Sequence, residues 1–348
     1  MIKKKHAYKI TIQLIADIIS FQDNASFLKD KFNTTEIDWD SLVTIASEHL
    51  ILPTIFFKLK EKALLEYIPV ELNHYLTELA SINRNRNNSL LSEIKTIATL
   101  FKSNAINYVF IKGAALIAGK FYADIGERMV GDLDILVDDK DLHKAFNLLV
   151  KEGYDKLIPF NYEQKDYRHL PRQVSNNCLA AVELHSYVLK TKYKDLIDAK
   201  QLLSTKTVIN EVNIPNLYYF NSINILTAQI NDRGTYFLSI PLKHAYDSQV
   251  LKLDQEKQLL TQLLHNKHGL TYLSLIDLLF PEAISRKSTL KERLIKMRFK
   301  LKMNNPKLAY FVYKIKWITI NCIDRLNLFI TNKSYRTHII KNKTFIKS

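Results

Sequence analysis

The residues of this chain whose types and spacing can do chemistry gather between Lys112 and His185. The run "DLDILV" reads as a β-strand, yet it carries Asp132 and Asp134. Strands ordinarily avoid Asp, because a carboxylate gains nothing from a half-buried pleated surface. A side-chain period of two puts both carboxylates on one face and turns Leu133, Ile135 and Val137 to the opposite, buried face. Carboxylates so placed repel unless a cation lies between them, and hard divalent ions such as Mg2+ take oxygen ligands of this kind. The competing reading is a solvent-facing acidic strand edge. Asp138, Asp139 and Asp141 read as charges at a helix N-terminus. An EF-hand is excluded, since Leu136 and Val137 stand where its loop needs a ligand and a glycine.

Upstream, "VFIKGAAL" runs from a strand into a helix, the arrangement in which free backbone N–H groups and the helix dipole bind phosphate. Gly113 lets a phosphate approach the backbone, and Lys112 adds charge; a plain strand-to-helix turn is the alternative. "GAALIAGKF" is no P-loop, because its spacing is one residue too long and Phe121 stands where Ser or Thr must be. Downstream, Glu183 in "AAVELHSY" shares a strand face with His185. A carboxylate there is costly without a cation or a reacting hydroxyl, and His185 reads as support for the site. "HNKH", His265 to His268, lacks a third ligand and carries no metal reading.

The elements around these residues are mostly helical. Apolar residues recur at helical spacing from Ile10 to about Asn87, with Pro53 marking a helix start. "NNSLLSEIKTIATLFKSNA" continues as helix, "INYVFIKG" is a strand, "AALIAGKFY" a helix, "DLDILV" a strand and "DKDLHKAFNLLVKEGY" an amphipathic helix ended by Gly153. Further strands are expected at "HLPRQVS" and "LAAVELHSYV", followed by a short mixed stretch and more helices. With only 7 Gly and 8 Pro among 348 residues, long flexible linkers are not expected. The boundaries read from this pattern are a helical N-terminal domain at 1–86, a core at 87–205, a mainly helical domain at 206–285 and a basic helical tail at 286–348.

That tail holds 17 Lys+Arg against two Asp+Glu and so owns the chain's whole net charge of +15. It can attract nucleic acid, anionic lipid or an acidic partner, or be a solvated helical surface. No stretch of about 20 nearly uncharged residues reads as a transmembrane helix. The N-terminus lacks a signal-peptide pattern, and Cys178 and Cys322 lack disulfide or zinc spacing, so a cytoplasmic location is expected.

Taken together, Lys-Gly after one strand, Asp-x-Asp on the next and Glu on a later one resemble the nucleotidyltransferases of the DNA-polymerase-β-like superfamily. Within it, "YVFIKGAALIAGKFY…ERMVGDLDILVDDKDLHKAFNLLVKEGY…VELH" is similar to a poorly characterised bacterial family with recurring KG, Arg, DxDLV and ExH motifs. The resemblance implies an α+β (mixed α/β) fold with a polymerase-β-like core between helical regions. It implies transfer of an NMP group from NTP to an acceptor hydroxyl, with two Mg2+ ions held by Asp132, Asp134 and Glu183. Lys112, Gly113 and Ala114 would hold phosphates, although the superfamily's usual Gly-Ser or Gly-Gly is here Gly113-Ala114. Arg128 would neutralise the same charge or pair with a carboxylate. Asp247, in "LKHAYD", would touch the base or anchor its own helix. The acceptor would be a small molecule or a protein or peptide; RNA reached by the tail is the alternative, as is a silent nucleotide-binding partner protein. Relief of carboxylate repulsion further implies that Asp134→Asn leaves the melting of the metal-free protein unchanged or higher.

Overall fold

The computed structural model describes residues 3–158, 161–162, 168–284 and 286–342. Ser285, at an expected boundary, and 343–348, at the end of the basic tail, lie outside the described residues. The chain opens with α1 (Lys3–Ile19), α2 (Ala25–Thr34), α3 (Trp39–Glu48) and α4 (Leu52–Glu61). Asp38 caps α3 by accepting from the Ser41 N–H, and Pro53 sits in the first turn of α4, where its missing N–H costs nothing. α5 (Val70–Ser103) then runs for 34 residues without a break.

The mixed segment follows: β1 (Tyr108–Phe110), α6 (Lys112–Ala118), β2 (Leu133–Val137), α7 (Leu142–Lys151), β3 (Lys156–Ile158), β4 (Arg172–Val174) and β5 (Val182–His185). After α8 (Ala199–Ser204) comes a hairpin of β6 (Thr207–Ile209) and β7 (Val212–Ile214). The remaining elements are α9 (Leu217–Leu226), α10 (Gly234–Phe237), α11 (Leu242–Val250), α12 (Lys257–His265), α13 (Lys267–Leu279), α14 (Leu290–Asn304), α15 (Pro306–Thr331) and α16 (Lys333–Asn342). Among the described residues no single helix is long and apolar enough to cross a membrane.

The sheet has the order β1-β2-β5-β4-β3, with β2 and β5 parallel and the other pairs antiparallel. Leu133, Ile135, Val137, Val182 and Leu184 pack with the second half of α5 and with α6 and α7. On the other face, Val109 and Leu136 join a second cluster, which α1, α3 and α4 share with α9, α11 and α13. The N- and C-terminal helical regions, read from sequence as separate domains, therefore share one hydrophobic cluster. The expected boundary after residue 86 falls inside α5, whose early residues Leu72, Leu76 and Ala80 serve one cluster and whose later residues Leu90, Ile94 and Phe101 serve the other.

The polar run Asn83 to Asn88 of α5 is a clamp. Asn83 donates to the Gly126 and Arg128 carbonyls, and Asn87 to those of Ile125 and Arg128. Arg84 pairs with Asp124 at 2.9 Å, and Arg86 donates to the Gly131 carbonyl at 3.1 Å. Each of these carbonyls would otherwise need another partner, so the loop leading to Asp132 is held along its length.

Glu127 lies in that loop, buried, and accepts a hydrogen bond from Tyr246 of α11. Burial raises its carboxyl from 4.5 to about 7, against the Tyr246 hydrogen bond and Lys58, which lower it. A carboxyl raised on folding holds its proton more tightly folded than unfolded, so its contribution is present below pH 4.5 and lost as pH climbs to about 7. Relative to wild type, Glu127→Gln should gain up to roughly 3 kcal/mol between pH 4 and pH 8. Urea denaturation of both proteins at the two pH values measures this; parallel stabilities would show that Glu127 does not titrate there.

Candidate active site

The register of two strands builds the centre. In the parallel β2–β5 pair, Asp134 stands directly opposite Glu183 and Leu136 opposite His185. Side chains on one face of paired strands at this register are immediate neighbours. Asp134, Glu183 and His185 are all buried, and one ligand atom from each lies within 4.8 Å of the others. Asp132, one residue before β2, is half-exposed at the rim.

Positive charge surrounds these carboxylates. Lys112 Nζ lies 2.5 Å from Asp134 Oδ1, and Arg172 bonds Glu183 through Nε and reaches Asp132 Oδ2 at 3.2 Å through Nη2. His185 Nε2 is 2.8 Å from the same Asp134 oxygen and 3.3 Å from Glu183 Oε2. Both neighbours accept, so Nε2 carries the hydrogen, while Nδ1 is buried without a partner among the described residues. Burial pushes the Asp134 carboxyl up, but Lys112 and His185 outweigh it and hold the group well below the usual carboxylate range. Glu183 is likewise held low, its burial overcome by the His185 hydrogen bond and other neighbours. Asp132 is raised by burial, with Arg172 offsetting part of it. The expectation that Asp134→Asn spares the metal-free fold is therefore corrected. Removing this charge leaves Lys112 without its partner, and the apo protein should melt lower.

The donor set suits a hard divalent cation: Asp132, Asp134 and Glu183 offer carboxylate oxygens, and the two buried ones are close enough to share an ion. Lys112 and Arg172 occupy the same electrostatic role here.

Lys112 also makes the turn from β1 into α6. Its φ of 56° lies in the left-handed region, an uncommon conformation for a residue with a side chain. It aims the ammonium back over β2 while Ile111 N–H bonds the Asp134 carbonyl at 2.9 Å. At Gly113 the constraint is space, since an added Cβ would meet both Val130 methyls at 3.2 Å. Ala114 is fully buried against the sheet, so its contribution to ligand binding is limited to its N–H.

Arg128 and Asp247 are brought together. The Arg128 guanidinium donates to both Asp247 oxygens, at 2.8 to 3.2 Å, and to the Met129 carbonyl, and the pair is buried. Tyr122 also donates to Asp247. With these bonds Arg128 ties the DxD loop to α11 through Asp247.

Sequence reasoning did not find Arg172, which sits on an antiparallel strand beside β5; a lone Arg in "HLPRQVS" signals nothing until the register is known. It also missed Lys243 on α11, which makes no ion pair or hydrogen bond among the described residues. Burial lowers its ammonium pKa, as do the nearby cations Arg128 and Lys112, against Asp247 and Asp232. A cleft of about 1090 Å³ is lined by residues of α10, α13, α15 and α16. None of the carboxylates lines it, but Asp232 lies within electrostatic range of both Lys112 in the site and Lys190 in the cleft wall.

The mixed sheet thus presents Asp-x-Asp and a register-matched Glu beside a Lys-Gly turn. The chain belongs to the uncharacterised nucleotidyltransferase family, whose model matches residues 35–279. Among solved structures it is similar to an antigenic nucleotidyltransferase-like protein from Paracoccidioides brasiliensis, with 15% identity, a TM-score of 0.36, and 56% of this chain and 90% of that chain covered. No curated protein matches the sequence.

The buried tie is testable. Arg128→Ala should cost about 3–5 kcal/mol of unfolding free energy, because Asp247 is left as an uncompensated buried charge. Replacing both, as Arg128→Met with Asp247→Asn, should recover part of the loss. A denaturation midpoint unchanged in Arg128→Ala, together with a raised KM for NTP, would return Arg128 to phosphate binding.

Proposed function

We propose that this protein transfers a nucleotidyl group from an NTP to a hydroxyl of a small molecule or of a protein or peptide, releasing pyrophosphate in the cytoplasm. The observation that carries this reading is the convergence of Asp132, Asp134 and Glu183 beside two partly exposed cations, Lys112 and Arg172. In the reaction the acceptor oxygen bonds the α-phosphorus, the bond from that phosphorus to the bridging oxygen breaks, and pyrophosphate leaves with the electron pair. When bound, two Mg2+ ions held by Asp132, Asp134 and Glu183 would supply positive charge to the triphosphate and lower the cost of deprotonating the hydroxyl.

The chain's own groups have distinct tasks. Glu183, held ionised, can orient the acceptor hydroxyl and take its proton. His185, locked by burial, fixes the Asp134 oxygen to which it donates. Lys112 and Lys243, with the Gly113 and Ala114 N–H groups, can hold phosphate oxygens, since α6 leaves its first N–H groups without intrahelical partners. Arg172, with 45% of its side chain exposed, has room to leave the carboxylates for phosphate when a nucleotide enters. The acceptor would approach from the cleft bordered by Lys190, Arg233, Tyr236 and His268. An RNA 3′ end is the second reading, favoured by cations such as Lys192, Lys267 and Arg336 in the same cleft. Incubating the protein with each labelled NTP and Mg2+, and offering small-molecule, protein and RNA pools, tests the proposal. Label in none of them, with nucleotide still bound, would mean a silent nucleotide-binding protein.

Two variants separate chemistry from binding. Asp134→Asn should lower kcat by at least roughly a thousand-fold, while Glu183→Gln should depress kcat with little change in nucleotide affinity. Calorimetric titration with a non-hydrolysable NTP supplies that affinity, and wild-type turnover in Asp134→Asn would end the two-metal scheme.

Lys243→Met should raise the apparent KM for NTP on the order of ten-fold while leaving kcat nearly unchanged, as expected for a contact made equally in ground and transition states. An unchanged KM would remove Lys243 from the phosphate site.

A further inference from the structure

The basic tail presents its apolar residues to solvent, in an order that packing against the body does not explain. On α14, Leu290, Leu294, Met297 and Leu301 recur at helical spacing and are 73, 48, 51 and 55% exposed. The opposite side of the same helix is the packed one, with Glu292, Phe299 and Met303 buried. At about 100° per residue, Lys291 and Arg298 border the exposed stripe on one side, and Arg293 and Lys300 on the other. All four of these cations are exposed.

The next helix repeats the design. None of the 26 residues of α15 is buried. Its contacts with the body lie along one side, where Tyr313 packs on Phe237 with ring centres 4.8 Å apart, Lys316 bonds Tyr236, and Asp324 pairs with Arg233. Away from that side stand Leu308, Phe311, Ile315, Ile318, Leu326 and Ile330, each between 49 and 67% exposed. Lys307, Lys314 and Arg325 border this second stripe by the same helical geometry.

Exposed apolar stripes of this length on a folded chain mark a docking site, and aliphatic stripes edged by Lys and Arg suit helices that lie in a membrane interface. Charge chooses the occupant. Residues 286–348 carry 17 Lys+Arg and two Asp+Glu. A second copy seated symmetrically on this face would bring two such fields together. A nucleic acid would engage the cations and leave the α14 aliphatics in water, since that stripe has no ring on which a base can stack. An anionic bilayer satisfies both features at once. We propose that α14 and α15 form a peripheral membrane-binding surface that seats the protein on anionic phospholipid, with the aliphatic stripes at the acyl boundary and the flanking Lys and Arg at the headgroups.

Flotation of the full chain with vesicles tests this directly. Wild type should rise with phosphatidylcholine vesicles containing phosphatidylglycerol and stay behind with phosphatidylcholine alone. Leu294→Glu with Leu301→Glu, and separately Ile315→Glu with Ile318→Glu, should each cut the bound fraction by roughly ten-fold or more. Converting Lys291, Arg293, Arg298 and Lys300 to Gln should also weaken binding while leaving the stripe intact. A second readout comes from Cys322, which is exposed on α15 and by the same helical geometry lies within its stripe, beside Ile315. An environment-sensitive dye placed there in a Cys178→Ser background should shift to the blue on anionic vesicles. The proposal fails if wild type does not float and the dye does not shift, or if the Glu variants float as well as wild type. It fails equally if, without vesicles, sedimentation shows a dimer that the Glu variants dissolve, because the stripes then cover each other.

Discussion

Two buried carboxylates facing each other across a strand pair are the constraint around which this molecule is organised. The parallel register of β2 and β5 leaves Asp134 and Glu183 no room to separate. Ionised neighbours in a poorly solvated site are stable only when positive charge is supplied close by. Lys112 arrives from the next turn, at the cost of a left-handed backbone, Arg172 comes from β4, and His185 donates from β5 itself. Three separate segments thus converge on one charge requirement, and the requirement is the same one a nucleotide-bound cation would meet.

The second requirement is that Asp132 be placed without a strand of its own to hold it. Its loop is fixed from both sides. Asn83, Asn87 and Arg86 of α5 take up its carbonyls, and Arg128 fastens it to α11 through Asp247. These groups never need to touch a substrate to matter, since an error of about an ångström in a reacting group costs orders of magnitude in rate.

Much of the centre was legible because its signals are local. Asp132 and Asp134 violate strand propensity, Lys112-Gly113 marks a strand-to-helix junction, and the apolar alternation around Glu183 identifies its strand. What escaped depends on register and long-range contact. Arg172 acquires meaning only when β4 is laid against β5. The role of Asn83 and Asn87 escaped for a related reason: their amides are buried donors for a loop some forty residues later, a contact that local sequence does not show. The helical termini were recognised as helical, but amphipathicity states that a face is buried without stating against what, so the hydrophobic cluster they share was not visible.

The unbroken α5 carries a consequence for how relatives of this protein can vary. At ~1.5 Å per residue its 34 residues form a rod of about 51 Å. Leu76 and Ala80 seat it in one hydrophobic cluster, Leu90 and Ile94 in the other, and Asn83 and Asn87 on the loop between them. Inserting or deleting one residue between Ala80 and Leu90 would rotate everything beyond it by about 100° and withdraw either the clamp or a cluster contact. Length variation in descendants of this fold is therefore pushed out of the rod and into its connections, and a fixed count of residues between the two apolar stretches becomes a ruler by which kinship can be recognised when the residues themselves have drifted.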